Sequence, residues 1–75
     1  MNEKEIIEKL CSENPEFRKI SDEHHHLDSL LAEIDRKVYL SPEEEIERKK
    51  MQKQKLAKKD QMAEMIRVFK KSLAN

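Results

Sequence analysis

Apolar side chains recur in alternating steps of three and four along residues 17–38. The members of this stripe are Phe17, Ile20, His24, Leu27, Leu31, Ile34 and Val38, of which only His24 is polar. The mean step matches a slightly under-wound α-helix, so these side chains lie on one stripe that needs a covering partner. The pattern therefore predicts a long helix packed against another helix.

A second stripe follows a helix-start signal at Ser41-Pro42-Glu43-Glu44. This segment combines an N-cap serine, a proline in the first helical position and the glutamate of a capping box. No further proline or glycine follows, so a helix is predicted from about residue 42 to about residue 73. Its stripe contains Met51, Lys55, Met62, Ile66, Phe69 and Leu73, and its first half also carries Arg48 and Lys59. The two stripes together are called the seam.

The N-terminal part of the chain predicts a short first helix, over about residues 3–12. Asn2 suits its N-cap, and Ile6, Ile7, Leu10 and Cys11 form its apolar edge. The pair Asn14-Pro15 then separates this helix from the next, since the residue before a proline avoids helical geometry. Helix 2 is predicted over about residues 15–37, with a turn at about 38–41.

These elements predict an all-α fold in a single domain, residues 1–75. The two long helices form an antiparallel, coiled-coil-like helical hairpin, and the short N-terminal helix packs on its open end. Because both helices rise equally per residue, facing positions have numbers that sum to about 82. Asp28 then lies beside Lys55, forming a polar layer in the seam, and Asp35 lies beside Arg48. We also expect Leu31 near Met51.

Charge is abundant but balanced, with 43 % of residues charged and a formal net charge of zero. Residues 1–35 carry ten acidic and four basic side chains, whereas residues 36–75 carry six acidic and twelve basic ones. The acidic N-terminal half and the basic C-terminal half attract each other when a hairpin brings them together. The chain has no glycine, which excludes Gly-rich phosphate-binding loops.

The single cysteine indicates the compartment. Cys11 has no disulfide partner within the chain and is therefore expected to be a reduced thiol. No apolar run is long enough for a signal peptide or a membrane span. The expected location is the cytoplasm, without membrane association.

Three consecutive histidines are the first candidate for site chemistry. His24, His25 and His26 point about 100° apart on a helix and cannot converge on one ion. Only His24 and Asp28 share a face, which provides two ligands where structural zinc needs four. We therefore predict no metal site and no cofactor; His24 instead is expected to hydrogen-bond across the hairpin, near Lys58 or Lys59.

Catalysis is not predicted either. Cys11 lies on an apolar helix edge without an evident base, and the first-turn acids Glu43, Glu44 and Glu45 suit the positive end of the helix dipole. No pocket-sized core is expected in so small a hairpin. The chain is predicted not to be an enzyme.

A basic segment, residues 48–59, is the candidate for nucleic-acid binding. It contains seven cations: Arg48, Lys49, Lys50, Lys53, Lys55, Lys58 and Lys59. Free cations attract phosphates, but the segment has no aromatic residue to stack on bases, and its predicted neighbour is acidic. Nucleic-acid association is kept as the alternative function.

Several short motifs together resemble the YdcH-like family of short bacterial proteins, which carries a domain of unknown function. These are the Asn14-Pro15-Glu16-Phe17 helix start, His24-X-X-Leu27-Asp28, and Met51-X-X-X-Lys55-Leu56-X-X-Lys59-Asp60. The similarity covers about residues 5–66; Met51 and Met62 stand where the family more often has leucine and isoleucine. The resemblance implies a bacterial helical hairpin without an assigned activity.

The function predicted from the sequence is a protein-interaction or self-associating module. Outside the seam, Leu30, Leu56, Met65 and Val68 are apolar and only partly covered by a two-helix hairpin. A second hairpin or a client helix could cover them. A weak homodimer is the expected oligomer, with an unidentified protein partner as the other outcome.

Overall fold

The computed structural model describes residues 2–74, and the side chains of residues 2–73. This range forms three α-helices, α1 (Glu3–Glu13), α2 (Pro15–Asp35) and α3 (Pro42–Ala74). It contains no β-strand, so the all-α prediction is confirmed. The molecule is elongated, measuring 51 × 20 × 16 Å, because α3 alone has 33 residues.

A single asparagine separates α1 from α2. The backbone N–H of Asn14 donates to the Leu10 carbonyl at 2.8 Å and ends α1. Its side-chain Oδ1 accepts from the N–H groups of Glu16 and Phe17, at 3.0 and 3.1 Å, and starts α2. One residue thus satisfies the ends of two helices that would otherwise leave polar groups without partners.

The other two helix starts also have side-chain caps. Asn2 Oδ1 accepts from the Glu5 N–H at 2.8 Å at the start of α1. At α3, Ser41 Oγ accepts from the Glu44 N–H and the Glu44 carboxylate accepts from the Ser41 N–H, both at 3.2 Å. This reciprocal pair is a capping box, and it sets the start of α3 at Pro42.

The end of α2 differs from the prediction. The helix ends at Asp35 rather than near Lys37, because the N–H groups of residues 36 and 37 donate to carbonyls three residues earlier. Such bonds tighten and end a helix. Val38 therefore lies in the turn and is 101 % exposed, so its assignment to the seam is wrong.

The core lies where all three helices meet. Ile6 and Leu10 of α1, Phe17 of α2 and Ile66 of α3 form one buried cluster, in which Phe17 is 0 % exposed. Ile7, Cys11, Met62, Met65 and Phe69 pack around this cluster. Burial of the apolar face of α1 thus fixes α1 to the other two helices.

The far end of α3 extends past this core. Leu73 is 53 % exposed, so its assignment to the seam is also wrong. Because α2 begins only at Pro15 and runs antiparallel to α3, no residue of α2 lies beside Leu73. Phe69 is better covered, because it packs against the cluster formed with α1.

Away from this core, α2 and α3 remain in contact along their length. Ile20 and Leu31 are buried, and Ser21 is buried beside them, whereas Leu27, Ile34 and Met51 are half-buried. Three ion pairs also join the helices, namely Glu23 with Lys58, Asp28 with Lys55, and Asp35 with Arg48. Residue numbers rise along α2 as they fall along α3, so the helices run in opposite directions.

Within residues 2–74, none of the helices combines the length and apolar character that a membrane span requires.

Candidate functional site

The polar layer is the most distinctive feature between α2 and α3. Lys55 Nζ lies 2.6 Å from Asp28 Oδ1, and the Lys55 side chain is 26 % exposed against 58 % for Asp28. The lysine thus covers neighbouring apolar side chains with its methylene groups while its ammonium group reaches the surface. The hydrogen bond from Lys55, and then its charge, lower the pKa of the Asp28 carboxyl.

Ion pairs flank this layer on both sides. Lys58 Nζ lies 2.9 Å from Glu23 Oε2, and the hydrogen bond from Lys58 lowers the pKa of Glu23. Arg48 Nε donates to Asp35 Oδ1 at 2.8 Å, which raises the pKa of Arg48. Exposed pairs of this kind contribute little stability but penalise a shifted register.

Replacing Lys55 with leucine tests this role. We expect thermal stability to be kept or raised, because an apolar residue in the seam packs as well as a lysine stem. Alternative registers or higher oligomers should appear, since a continuous apolar seam no longer penalises slippage. Thermal denaturation and sedimentation velocity measure the two effects.

Lys49→Leu is the matched control, because Lys49 is an exposed lysine on the same helix. It should leave the register of α2 and α3 unchanged. Unfolding of the Lys55→Leu variant would contradict the structural role given to Lys55.

His24 lines a groove together with Asp28 and Lys55 of the polar layer and Ile7 of α1, and one of its ring nitrogens is unsatisfied. Its Nδ1 atom is buried and has no hydrogen-bond partner, and Lys58 pairs with Glu23 instead. The expected hydrogen bond from His24 to Lys58 or Lys59 is therefore not made by Nδ1. The neighbouring His25 and His26 are exposed.

The surroundings of His24 disfavour its charged form. Desolvation lowers the pKa of His24, and the positive charges of His25, Lys55 and Lys59 lower it further, while Asp28 opposes them. Glu3 of α1 lines the same groove as His24. The folded protein therefore binds a proton at His24 less readily than the unfolded chain does.

This difference predicts a loss of stability in mild acid. A histidine pKa depressed by folding contributes stability above its unfolded value, about 6.5, which is lost as pH falls towards the folded value. The urea concentration at the midpoint of unfolding should therefore decrease as the pH is lowered from about 7.5 to about 5.5. His24→Gln should remove most of this fall, whereas His26→Gln, on the exposed face, should keep it.

An equal pH dependence in the wild type and the His24→Gln variant would show that another group titrates. The acids of the interhelical pairs titrate lower, since the pKa values of Glu23 and Asp28 are lowered. The stability that these ionised acids contribute is lost only as the pH falls through and below the ordinary carboxyl pKa, about 4. The two pH windows are thus separable in one titration.

The other candidate groups stay apart from one another. Within residues 2–74, no three histidine, cysteine, aspartate or glutamate side chains are grouped so as to hold a metal ion. Cys11 is half-buried and packs against the core cluster.

The seven cations of the basic segment divide into two sets. Arg48, Lys55 and Lys58 pair with acids of α2. Lys49, Lys50, Lys53 and Lys59 are exposed and have no ion pair within residues 2–74. Most of the positive charge on the side of α3 that faces α2 is therefore paired, with Lys59 in the groove beside His24 as the exception, whereas Lys49, Lys50 and Lys53 keep their charge unpaired within residues 2–74.

Two features were not predicted from the sequence. The first is the Glu23–Lys58 pair: its numbers also sum to about 82, but the expected partner of Lys58 or Lys59 is His24. The other feature is the full exposure of Val38, at 101 %, beside Tyr39 at 82 %. The turn itself is predicted at about residues 38–41, but an apolar residue at position 38 continues the periodic pattern of the stripe, so no local signal indicates that it is exposed.

Comparison with protein-family models, with curated proteins and with solved structures finds no match for this chain. The resemblance to the YdcH-like family accordingly stays a prediction.

Proposed function

We propose that this chain is a non-enzymatic helical-hairpin module that functions by binding protein, either a client or a second copy of itself. In this proposal α2 and α3 form a coiled-coil-like hairpin, and α1 packs on its open end. The opposite direction of the helices and the three interhelical ion pairs support this arrangement. The same proposal includes membership of the YdcH-like family and a location in the cytoplasm.

The observation that carries the proposal is apolar surface left half covered. Two helices cover each other along one face only, so Leu27, Leu30 and Met65 stay half-buried at its edges. At the turn, Val38 and Tyr39 are almost fully exposed. Exposed aromatic and aliphatic side chains that lie together are typical of protein-binding surfaces.

Site-specific photo-crosslinking in the cell that makes the protein tests this function. A photoreactive amino acid would replace Leu30 on the flank, Tyr39 in the turn or, as a control, Glu33. Glu33 is exposed on the same helix as Leu30 and carries no ion pair within residues 2–74. We expect discrete protein adducts from position 30 or 39 and none from position 33.

Adducts that are absent from positions 30 and 39, or equally frequent at position 33, would contradict the proposal.

The alternative is nucleic-acid association through the basic segment. The exposed lysines Lys49, Lys50 and Lys53 favour it, because they lie within two turns of one helix. We place it second, since three of the seven cations are engaged by acids of α2. Retention on heparin at physiological salt, about 0.15 M, separates the two functions; we expect the protein to pass through unretained.

A further inference from the structure

The outer side of α3 carries a second regular stripe. Ile46, Lys50, Lys53, Asp60, Glu64 and Val68 recur in steps of three or four around a central Ala57, and all of them are exposed. At about 100° per residue, this stripe lies about half a turn from the seam. Its C-terminal half borders the neighbouring helices, since Asp60 and Glu64 line an open groove with Ile20 of α2, and Val68 lines one with Leu10 of α1. We name these seven positions the outer stripe. None of the six ion pairs within residues 2–74 joins this stripe to α1 or α2.

The order of residue types along the outer stripe is self-complementary. An apolar residue lies at each end, two lysines precede Ala57, and two acids follow it. An antiparallel copy centred on Ala57 sets Ile46 against Val68 and Lys50 against Glu64. Lys53 then falls within one residue of Asp60. Every charged position of the stripe thus meets an opposite charge.

The same order disfavours a parallel copy. A parallel pair would set Lys50 against Lys50 and Glu64 against Glu64, and facing like charges are unfavourable. An interface that uses one patch on both subunits is the usual design of a two-fold dimer. Charge therefore selects both the partner and its direction.

The charged groups of the stripe are available for such pairing. Lys50, Lys53 and Asp60 have no ion pair within residues 2–74. Glu64 binds Arg67, three residues further on, with Oε1 2.6 Å from Nη2, and these side chains are 60 % and 62 % exposed. Arg67 Nε also donates to Glu64 Oε2 at 3.0 Å, so both carboxylate oxygens are engaged, but each oxygen keeps a second lone pair that can accept from another cation.

We propose that the chain forms an antiparallel homodimer through the outer stripe of α3. This inference goes beyond the proposed function, because the outer stripe does not include Leu30 or Tyr39, and it names the partner as a second copy. The contact spans residues 46–68, about 33 Å of helix. Because only Ile46, Ala57 and Val68 add apolar area, the dimer is weak, and its affinity falls as salt screens the charge pairs.

Charge reversal tests the proposal. One variant carries Lys50→Glu and Lys53→Glu, and the other carries Asp60→Lys and Glu64→Lys. Sedimentation equilibrium at about 0.05 M salt and up to about 1 mM protein measures self-association. We expect the wild type to dimerise, each variant alone to associate at least about tenfold more weakly, and their equimolar mixture to recover dimers.

Lys4→Glu with Lys19→Glu is the matched control. It changes the net charge as much as the first variant, but both lysines are exposed and lie off the stripe. This control should dimerise like the wild type. Circular dichroism establishes that all variants keep the helical content of the wild type.

Two results would overturn the inference, and neither is a failure of the proposed function. A wild-type mass of 9.0 kDa at every concentration excludes the dimer, while adducts with other proteins would still support a binding module. Dimers that both charge reversals leave unchanged place self-association on another face.

Discussion

Replacing Phe17 with alanine is expected to lower the free energy of unfolding by about 3 to 5 kcal/mol. Phe17 is 0 % exposed and packs with Ile6, Leu10 and Ile66 at the meeting point of the three helices. A domain of this length typically has about 4 to 11 kcal/mol of total stability, so the loss is a large share of it. Urea denaturation followed by far-UV circular dichroism measures the change.

Tyr39→Ala is the control for this measurement, because it removes an aromatic ring that is 82 % exposed. It should change stability by no more than about 0.5 kcal/mol. If the Phe17→Ala variant is unfolded without urea, Phe17→Leu provides a smaller, measurable loss. A Phe17 variant as stable as the Tyr39 variant would show that the three-helix core does not stabilise the fold.

Replacing Leu31 with alanine should cost about 2 to 4 kcal/mol. Leu31 is 4 % exposed in the contact between α2 and α3, where few other residues are buried. Val38→Ala is the matched control, because the sequence pattern places both residues on one stripe whereas Val38 is 101 % exposed. That control should stay within about 0.5 kcal/mol of the wild type.

The same urea titration measures this pair of variants. Equal losses from Leu31→Ala and Val38→Ala would mean that Val38 is buried in solution and that α2 extends through the turn.

Local chemistry explains why the helix starts were predictable. Asn14, with Pro15 after it, and Ser41, with Glu44 three residues later, satisfy backbone groups within their own segments. Such motifs act without reference to the rest of the fold. All-α architecture was predictable for the same reason, since periodicity is a property of one segment at a time.

The ends of the helices were harder to predict. An apolar residue at position 38 continues the stripe of α2. The chain nevertheless has to reverse direction within residues 36–41 so that α3 can pack against α2, and this tertiary requirement ends the helix earlier. Leu73 shows the same limit, since its exposure depends on where α2 begins. Periodicity tells which face an apolar residue occupies but not whether another helix extends far enough to cover it.

Within the site, the Asp28–Lys55 contact lies where equal rise along two antiparallel helices puts it. The unsatisfied Nδ1 of His24 could not be predicted in this way. It depends on Lys58 reaching Glu23 rather than the histidine, which is a choice among side-chain conformations. Backbone register follows from the numbering, whereas hydrogen bonding between long side chains does not.

The exposed turn also determines how this protein can be observed. Tyr39 is the sole tyrosine, and the sequence has no tryptophan, so this one phenol provides nearly all of the intrinsic fluorescence. Because the ring is 82 % exposed when the protein is folded, unfolding alters its surroundings little. Its emission is therefore a poor reporter of denaturation, but a sensitive and label-free reporter of any molecule that docks on the turn.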